Sequence, residues 1–234
     1  MSSSSLDGFS RAFAASFPVA AAYIPLGAAK AILMISVGLD WYWPLITAVL
    51  VYAGSLEFLI VGYVATGMSL PMVAWTTFLV NFRHLFYSLS YPLGRHNHRL
   101  GKFYGMFALT DEAYVLTSLG KGRDFDSKTL LLLQVLLQFW WFLGSCIGVI
   151  VGQSLPESFG GFEFAMTAMF VVLALDSLSK RRSEKNLILT AVAMIIGFVS
   201  EFYGAEDTFL LSALLAYFFL LSADFFWQKR HADV

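Results

Sequence analysis

Several ionisable side chains fall inside apolar stretches of this chain, among them Lys30, Glu57, Arg83, Asp111 and Glu112. A charge at the centre of a helix in lipid costs about 2.5–3.5 kcal/mol on insertion scales, so such groups pair with one another, line a wet cavity or carry a function. The stretch "LVNFRHLFYS" (79–88) concentrates the problem, with Asn81, Arg83 and His84 inside four positions. On a helix turning about 100° per residue, Asn81, His84 and Ser88 share one face while Arg83 points about 200° away from Asn81. The stretch therefore serves two sides of its helix. Arg83 reads as a snorkelling or carboxylate-paired arginine, or as a group that binds an anion. Asn81 suits an interhelical hydrogen bond or a ligand contact. His84 is a packing residue or a proton shuttle that titrates near neutral pH.

Three further constellations surround these groups. In "VYAGSLEFLIVGY", Glu57 follows Gly54 and Ser55 in mid-segment. A carboxylate there binds a cation, carries a proton, or stays paired with Arg83 or Lys30. In "LTDEAY", Thr110, Asp111 and Glu112 have the composition of a helix start, with a side-chain cap and acids at the positive end of the dipole. The same residues also suit a solvated cap in a loop. In "AYIPLGAAK", Pro25 and Gly27 follow Tyr23 and precede Lys30 by one turn. Proline removes a backbone donor and clashes with the preceding turn, so the sequence predicts a kink or unwinding between Tyr23 and Gly27.

The elements that must position these groups are membrane helices. Of the 234 residues, 58% are hydrophobic and only 13% charged, and the mean hydropathy is +0.70; soluble domains carry roughly 25% charged residues. Apolar runs of spanning length occur near 12–36, 43–66, 70–91, 129–153, 161–179, 185–202 and 207–227, with a weaker one at 103–119. The expected fold is all-α, a polytopic transmembrane helical bundle of seven or eight hydrophobic segments forming one transport domain over 1–234. Lys180, Arg181, Arg182 and Lys185 mark one loop and Lys229 and Arg230 the C-terminus, while 154–160 and 203–207 carry no Lys or Arg. By the positive-inside rule the C-terminal tail is cytoplasmic. The first half conflicts with that rule, because "RHNHRLGK" (95–102) and "KGRDFDSK" (121–128) are both basic yet flank one apolar segment. Broken or re-entrant segments near 18–30 and 103–119 would resolve the conflict, since irregular backbone is tolerated at depth where it lines a cavity.

Other features narrow the reading. Gly144, Gly148 and Gly152 recur every fourth residue and form a smooth face for close packing within the chain or against a partner. Trp41, Trp43 and Trp227 lie near segment ends, as interfacial anchors do. Cys146 is a lone cysteine among apolar residues and reads as a packed side chain. The net charge of −1 and the lack of a basic, aromatic-laced patch argue against nucleic acid. No Walker-type phosphate loop appears, two loop imidazoles (His96 and His98) are too few for a zinc site, and no cofactor or catalytic pairing is expected. The first residues lack the pattern of a cleaved signal peptide.

Four blocks in order, "AYIPLGAA", "YAGSLEF", "LVNFRHLFYS" and "ALTDEAY", resemble the AzlC-type branched-chain amino acid permeases over about residues 8 to 118; "FEFAMTAMFVVL" (162–173) is the best block of the second half. The resemblance implies the large subunit of an exporter of leucine, isoleucine, valine and sometimes methionine. It further implies a small AzlD-type membrane partner and a bacterial cytoplasmic (inner) membrane location. Carried over to this sequence, the family's polar motif positions fall on Tyr23, Pro25, Gly27, Gly54, Ser55, Glu57, Asn81, Arg83, His84, Thr110, Asp111 and Glu112. Many members of that family carry Gln where this chain has Glu57. The expectation is a secondary transporter, proton-coupled, whose mid-membrane site holds a zwitterion between Arg83 or a broken-helix N-terminus and a carboxylate. The competing readings are a transporter or channel for another small solute or ion, an intramembrane enzyme, and a scaffold whose buried charges are all structural.

Overall fold

The computed structural model describes residues 3–119, 121–154, 184–203 and 209–232. The described residues are helical and contain no strand. They fall into two compact units, one of residues 1–70 and 80–162 and one of 71–79 and 163–234. The expected segment at 161–179, the block at 162–173 and the loop at 154–160 lie almost entirely outside the described residues.

The first unit is built on two long helices, α1 (Ser3–Ser36) and α8 (Ser127–Ser154). Both are long and apolar enough to cross a membrane. Their contact is made by small residues. A Cβ at Gly144 would lie 2.4 Å from the Ile24 carbonyl oxygen, and one at Gly148 would lie 2.3 Å from that of Ala28; at Gly152 it would meet Ile35 Cδ1 at 3.1 Å. In return, a Cβ at Gly27 would lie 2.7 Å from the Trp141 carbonyl oxygen. The glycine stripe is thus consumed within the chain, against Ile24, Ala28 and the turn beyond. Numbering rises together along the contact, from Gly8 beside Thr129 to Gly152 beside Ile35, so α1 and α8 run parallel.

This geometry corrects the expected break near 18–30. Helix α1 continues unbroken through Pro18 and Pro25. Each proline removes one ladder bond, and the backbone-to-backbone packing on α8 holds the helix together where an isolated one would kink. Gly27 serves that packing rather than a hinge.

Two broken segments fill the rest of this unit. Segment 43–66, which the sequence suggested was a simple span, is α2 (Trp43–Leu50) and α3 (Gly54–Thr66). Pro44 and Glu57 are thirteen residues apart, about 20 Å along one helix. Yet the Pro44 carbonyl and the Glu57 carboxylate both accept from the same Lys30 ammonium, at 2.8 and 2.7 Å. The chain must therefore fold back between them, at Val51–Ala53. The reversal uses Tyr52 at φ +46°, the one non-glycine residue with positive φ among the described residues, and it turns two N–H groups, of Val51 and Tyr52, onto the Thr47 carbonyl, each at 2.9 Å.

Segment 103–119 is broken too, as its sequence suggested. Helix α6 (Arg99–Phe107) stops, and α7 (Asp111–Tyr114) starts after Thr110 and runs into a π-helical turn at Val115–Leu119. The Asn97 amide donates to Ser127 Oγ at 3.1 Å, so the chain leaves and re-enters at one end of the unit. The two basic stretches thus touch at Asn97 and Ser127.

In the chain between the two hairpins come α4 (Leu70–Asn81), most of which belongs to the second unit, and α5 (Arg83–Ser90) of the first, separated at Phe82. The second unit contains α9 (Glu184–Tyr203) and α10 (Phe209–Ala232), which pack on each other and are tied by a Lys185–Asp224 ion pair.

Candidate functional site

The two hairpins meet at their tips. Tyr52, at the turn of the α2–α3 hairpin, has its ring centroid 6.3 Å from that of Phe107, at the end of α6. Gln138 on α8 joins the two, accepting from Tyr104 Oη at 2.7 Å and donating to the Ala48 and Val49 carbonyls at 3.3 and 3.1 Å. One turn earlier, Gln134 donates to the Gly105 and Ala108 carbonyls at 2.9 and 3.3 Å, which α6 leaves open where it ends. Tyr23, near the midpoint of the Asp7–Ser36 span, touches Thr110 and Glu112. The tip of the α6–α7 hairpin is therefore level with the middle of α1.

The costly charges separate into two pairs of opposite character. Lys30 and Glu57 are fully buried and 2.7 Å apart. Lys30 Nζ also reaches Pro44 O at 2.8 Å and Thr47 Oγ1 at 3.4 Å, and Glu57 Oε1 accepts from Trp141 Nε1 at 2.9 Å. Every donor of the ammonium has an acceptor, so this pair fastens the α2–α3 hairpin to α1 and α8. Arg83 and Asp111, also 2.7 Å apart, keep 41% and 38% of their side chains exposed. The second guanidinium nitrogen of Arg83 donates to Ser55 Oγ at 3.1 Å, and Asp111 Oδ1 is buried without a hydrogen bond. Sealed pairs stay closed; a half-exposed pair with an unsatisfied oxygen can open to an incoming charge.

Between these pairs lies a hydroxyl chain. Tyr23 Oη donates to Glu112 Oε2 at 2.5 Å, a length typical of a hydroxyl on a carboxylate. With that proton committed, the 3.0 Å contact between Tyr23 Oη and Thr110 Oγ1 is a donation from threonine. Thr110 Oγ1 also accepts from the Ala113 amide at 3.2 Å, the side-chain cap expected for "LTDEAY". Glu112 is exposed while Tyr23 is buried. Tyr52 is buried as well, and its hydroxyl has no hydrogen-bond partner. A bulky residue at positive φ costs about 1–3 kcal/mol and persists only where its surroundings hold it.

The sequence-predicted residues thus do not form one cluster. Ser55, Arg83 and Asp111 come together, as do Tyr23, Thr110 and Glu112, next to them in the chain. Glu57 is tied to Lys30 rather than to Arg83. Gly54 packs its Cα against Trp141, where a Cβ would lie 3.3 Å from the indole; Pro25 and Gly27 belong to α1. His84 Nδ1 lies 3.1 Å from the Asn81 carbonyl. Because a carbonyl only accepts, Nδ1 carries the proton, and the bond bridges the interruption at Phe82. Sequence reasoning missed Tyr52, Tyr104, Gln134, Gln138 and Trp141. The signal for the last three was present: 134, 138 and 141 recur at helical spacing along one face of an otherwise apolar segment.

A network at the basic end was also missed. Tyr91 Oη donates to Gln134 Oε1 at 3.2 Å and lies 2.9 Å from His96 Nε2. The phenol's only proton is used on Gln134, so His96 donates from Nε2 and leaves Nδ1 bare; that atom is buried and unpartnered. Burial, with Lys102 nearby adding to it, holds the His96 pKa below its ordinary value of 6.5.

Comparison with known proteins agrees with this helical, apolar architecture. A Haemophilus influenzae protein named "Uncharacterized membrane protein" is 29% identical over 215 residues, covering 90% of this chain and 86% of that protein. The Bacillus subtilis "Branched-chain amino acid transport protein AzlC" is 28% identical over 210 residues, covering 89% and 82%. The Escherichia coli "Inner membrane protein YgaZ" is 24% identical over 188 residues, covering 77% and 76%. No solved structure matches the chain significantly. The relatives' names and the apolar helices together support a membrane location. Residues 18–155, which include both hairpins and the Lys30–Glu57 and Arg83–Asp111 pairs, match the family described as AzlC protein, and the chain belongs to that family.

Proposed function

We propose that this protein is a secondary transporter that exports branched-chain amino acids, leucine, isoleucine and valine and also methionine, across the bacterial cytoplasmic membrane, together with a small AzlD-type membrane subunit. The observation that carries the reading is the half-exposed Arg83–Asp111 pair at the meeting of two opposed hairpins, beside a pair that is sealed. A zwitterion offers both partners of the open pair what they already hold: a carboxylate for Arg83 and Ser55, an ammonium for the acids at 111 and 112. Exchange of one ion pair for two leaves no charge uncompensated, which is the condition for passing a charged solute through a low-dielectric site. The similarity to the Bacillus subtilis transport protein over most of the chain supports the same substrate class.

In this reading the basic loops at 95–102 and 121–128, the start of α1 and the C-terminal tail are cytoplasmic, and residues 1–234 act as one transport domain. Coupling to the proton gradient runs through Glu112, whose carboxylate is exposed, rather than through Glu57, which Lys30 and Trp141 saturate. Efflux of preloaded leucine, isoleucine, valine and methionine from cells making this chain, with and without the small subunit, tests the reading. Partner-dependent efflux whose pH dependence is abolished in Glu112→Gln is the expected result; well-folded protein that moves none of the four defeats it.

A further inference from the structure

Resting on the transport reading above, we infer that the Tyr52 hydroxyl, with Tyr23 and Glu112, forms the subsite for the substrate's ammonium group. Three observations converge on Tyr52. Its backbone is held at φ +46°, a conformation that an aromatic residue adopts only under constraint. Its side chain is 4% exposed and no group meets its hydroxyl in good hydrogen-bond geometry, the Tyr23 hydroxyl being its neighbour, although a buried polar group is nearly always well paired. And it stands at the tip of one hairpin facing the tip of the other, where Phe107 and Tyr104 meet it.

The chemistry around this hydroxyl selects a cation. The groups that act on it are the hydroxyls of Tyr23, the one near enough to interact directly, and of Tyr104, and the carboxylates of Glu112 and Glu57; the nearby cation, Lys30, is held by Glu57 at 2.7 Å. Glu57 is spent on Lys30 and Trp141, and the Tyr23 proton is spent on Glu112. What remains toward a ligand is acceptors: the lone pairs of two phenols and the free oxygen of Glu112. An alkylammonium has three N–H donors and no acceptor, and aromatic faces nearby favour it further. Ser55, three residues after Tyr52, holds Arg83 of α5, which also pairs with Asp111; Ser55 and Arg83 are left to the carboxylate. The exposed Glu112 gives the approach, and the phenol makes contact as the tips part.

Removing the hydroxyl separates this assignment from a structural one, because the two predict opposite signs. Full-length protein in detergent is compared with Tyr52→Phe by thermal unfolding, with L-leucine, with leucinamide, which keeps the ammonium but lacks the carboxylate, and with sodium chloride against choline chloride. For Tyr52→Phe without ligand, stability is expected to hold or rise, because an unpaired buried hydroxyl is lost. Its affinity for both leucine and leucinamide is expected to fall about tenfold, the loss of one charge-assisted hydrogen bond. Unchanged leucine affinity in Tyr52→Phe, or a lower stability of the ligand-free variant, overturns the subsite while leaving the transport reading intact. Stabilisation of the wild type by sodium alone, lost in Tyr52→Phe, gives the site to a metal cation and overturns it as well. A wild type that no amino acid stabilises defeats the transport reading itself and the subsite with it.

Discussion

Lys30 and Glu57 show why a buried charge need not be a working one. With 0% of either side chain exposed and every donor met, removing one partner strands the other. Glu57→Ala is expected to lower stability by about 3–5 kcal/mol, the cost of leaving a buried charge unpaired. Lys30→Met/Glu57→Gln removes both charges and keeps an acceptor for Trp141 Nε1, so it is expected to recover most of that loss; denaturant titration of the two variants measures it. His96 acts on stability with pH. Its folded-state pKa is held below 6.5, so the unfolded chain binds more protons as the solution acidifies. The stability that neutral His96 contributes is complete above pH 6.5 and is lost as pH falls through the depressed value; His96→Gln is expected to flatten that limb in thermal unfolding at stepped pH. Of these residues, the sequence marked Lys30 and Glu57 by their cost in lipid, but not that they would choose each other. Pairing depends on a chain reversal that no residue type announces, since tyrosine is not the residue one expects at positive φ.

Helix α1 illustrates the opposite error. Proline at 25 and glycine at 27 carry a strong local signal for a break, and the packing of α8 overrides it. That packing was itself legible as the stripe Gly144, Gly148, Gly152, although its partner was not. Gly148→Val places a Cβ 2.3 Å from the Ala28 carbonyl oxygen, backbone that cannot step aside. A loss of at least about 1–3 kcal/mol is expected, seen as a lower yield of folded protein in detergent. The break at 108–110 was readable because Thr110 and two acids write a helix start into the middle of an apolar run. The break at 51–53 was not, because "VYAGS" has no proline, and its glycine is not where the strained residue falls.

Taken whole, the first unit is a parallel pair of long helices that clasps two hairpins entering from opposite ends, with tips in contact level with the middle of α1. Such a core explains how these five charges sit in apolar surroundings: Lys30 and Glu57 anchor a hairpin, Arg83 and Asp111 pair at the junction, and Glu112 accepts from Tyr23. The positive-inside pattern pointed to a broken segment at 103–119, since both flanking loops are basic, and the helix does break there, with Asn97 and Ser127 in contact at its ends. On the transport proposal the open Arg83–Asp111 pair works and the sealed Lys30–Glu57 pair holds. The most direct test is efflux of preloaded leucine from cells carrying the small subunit, at matched abundance of Arg83→Ala and of Lys30→Met/Glu57→Gln. Arg83→Ala is expected to abolish efflux while the double variant retains it. Full efflux by Arg83→Ala, or its loss in a well-folded double variant, would show that the open pair is not the working one.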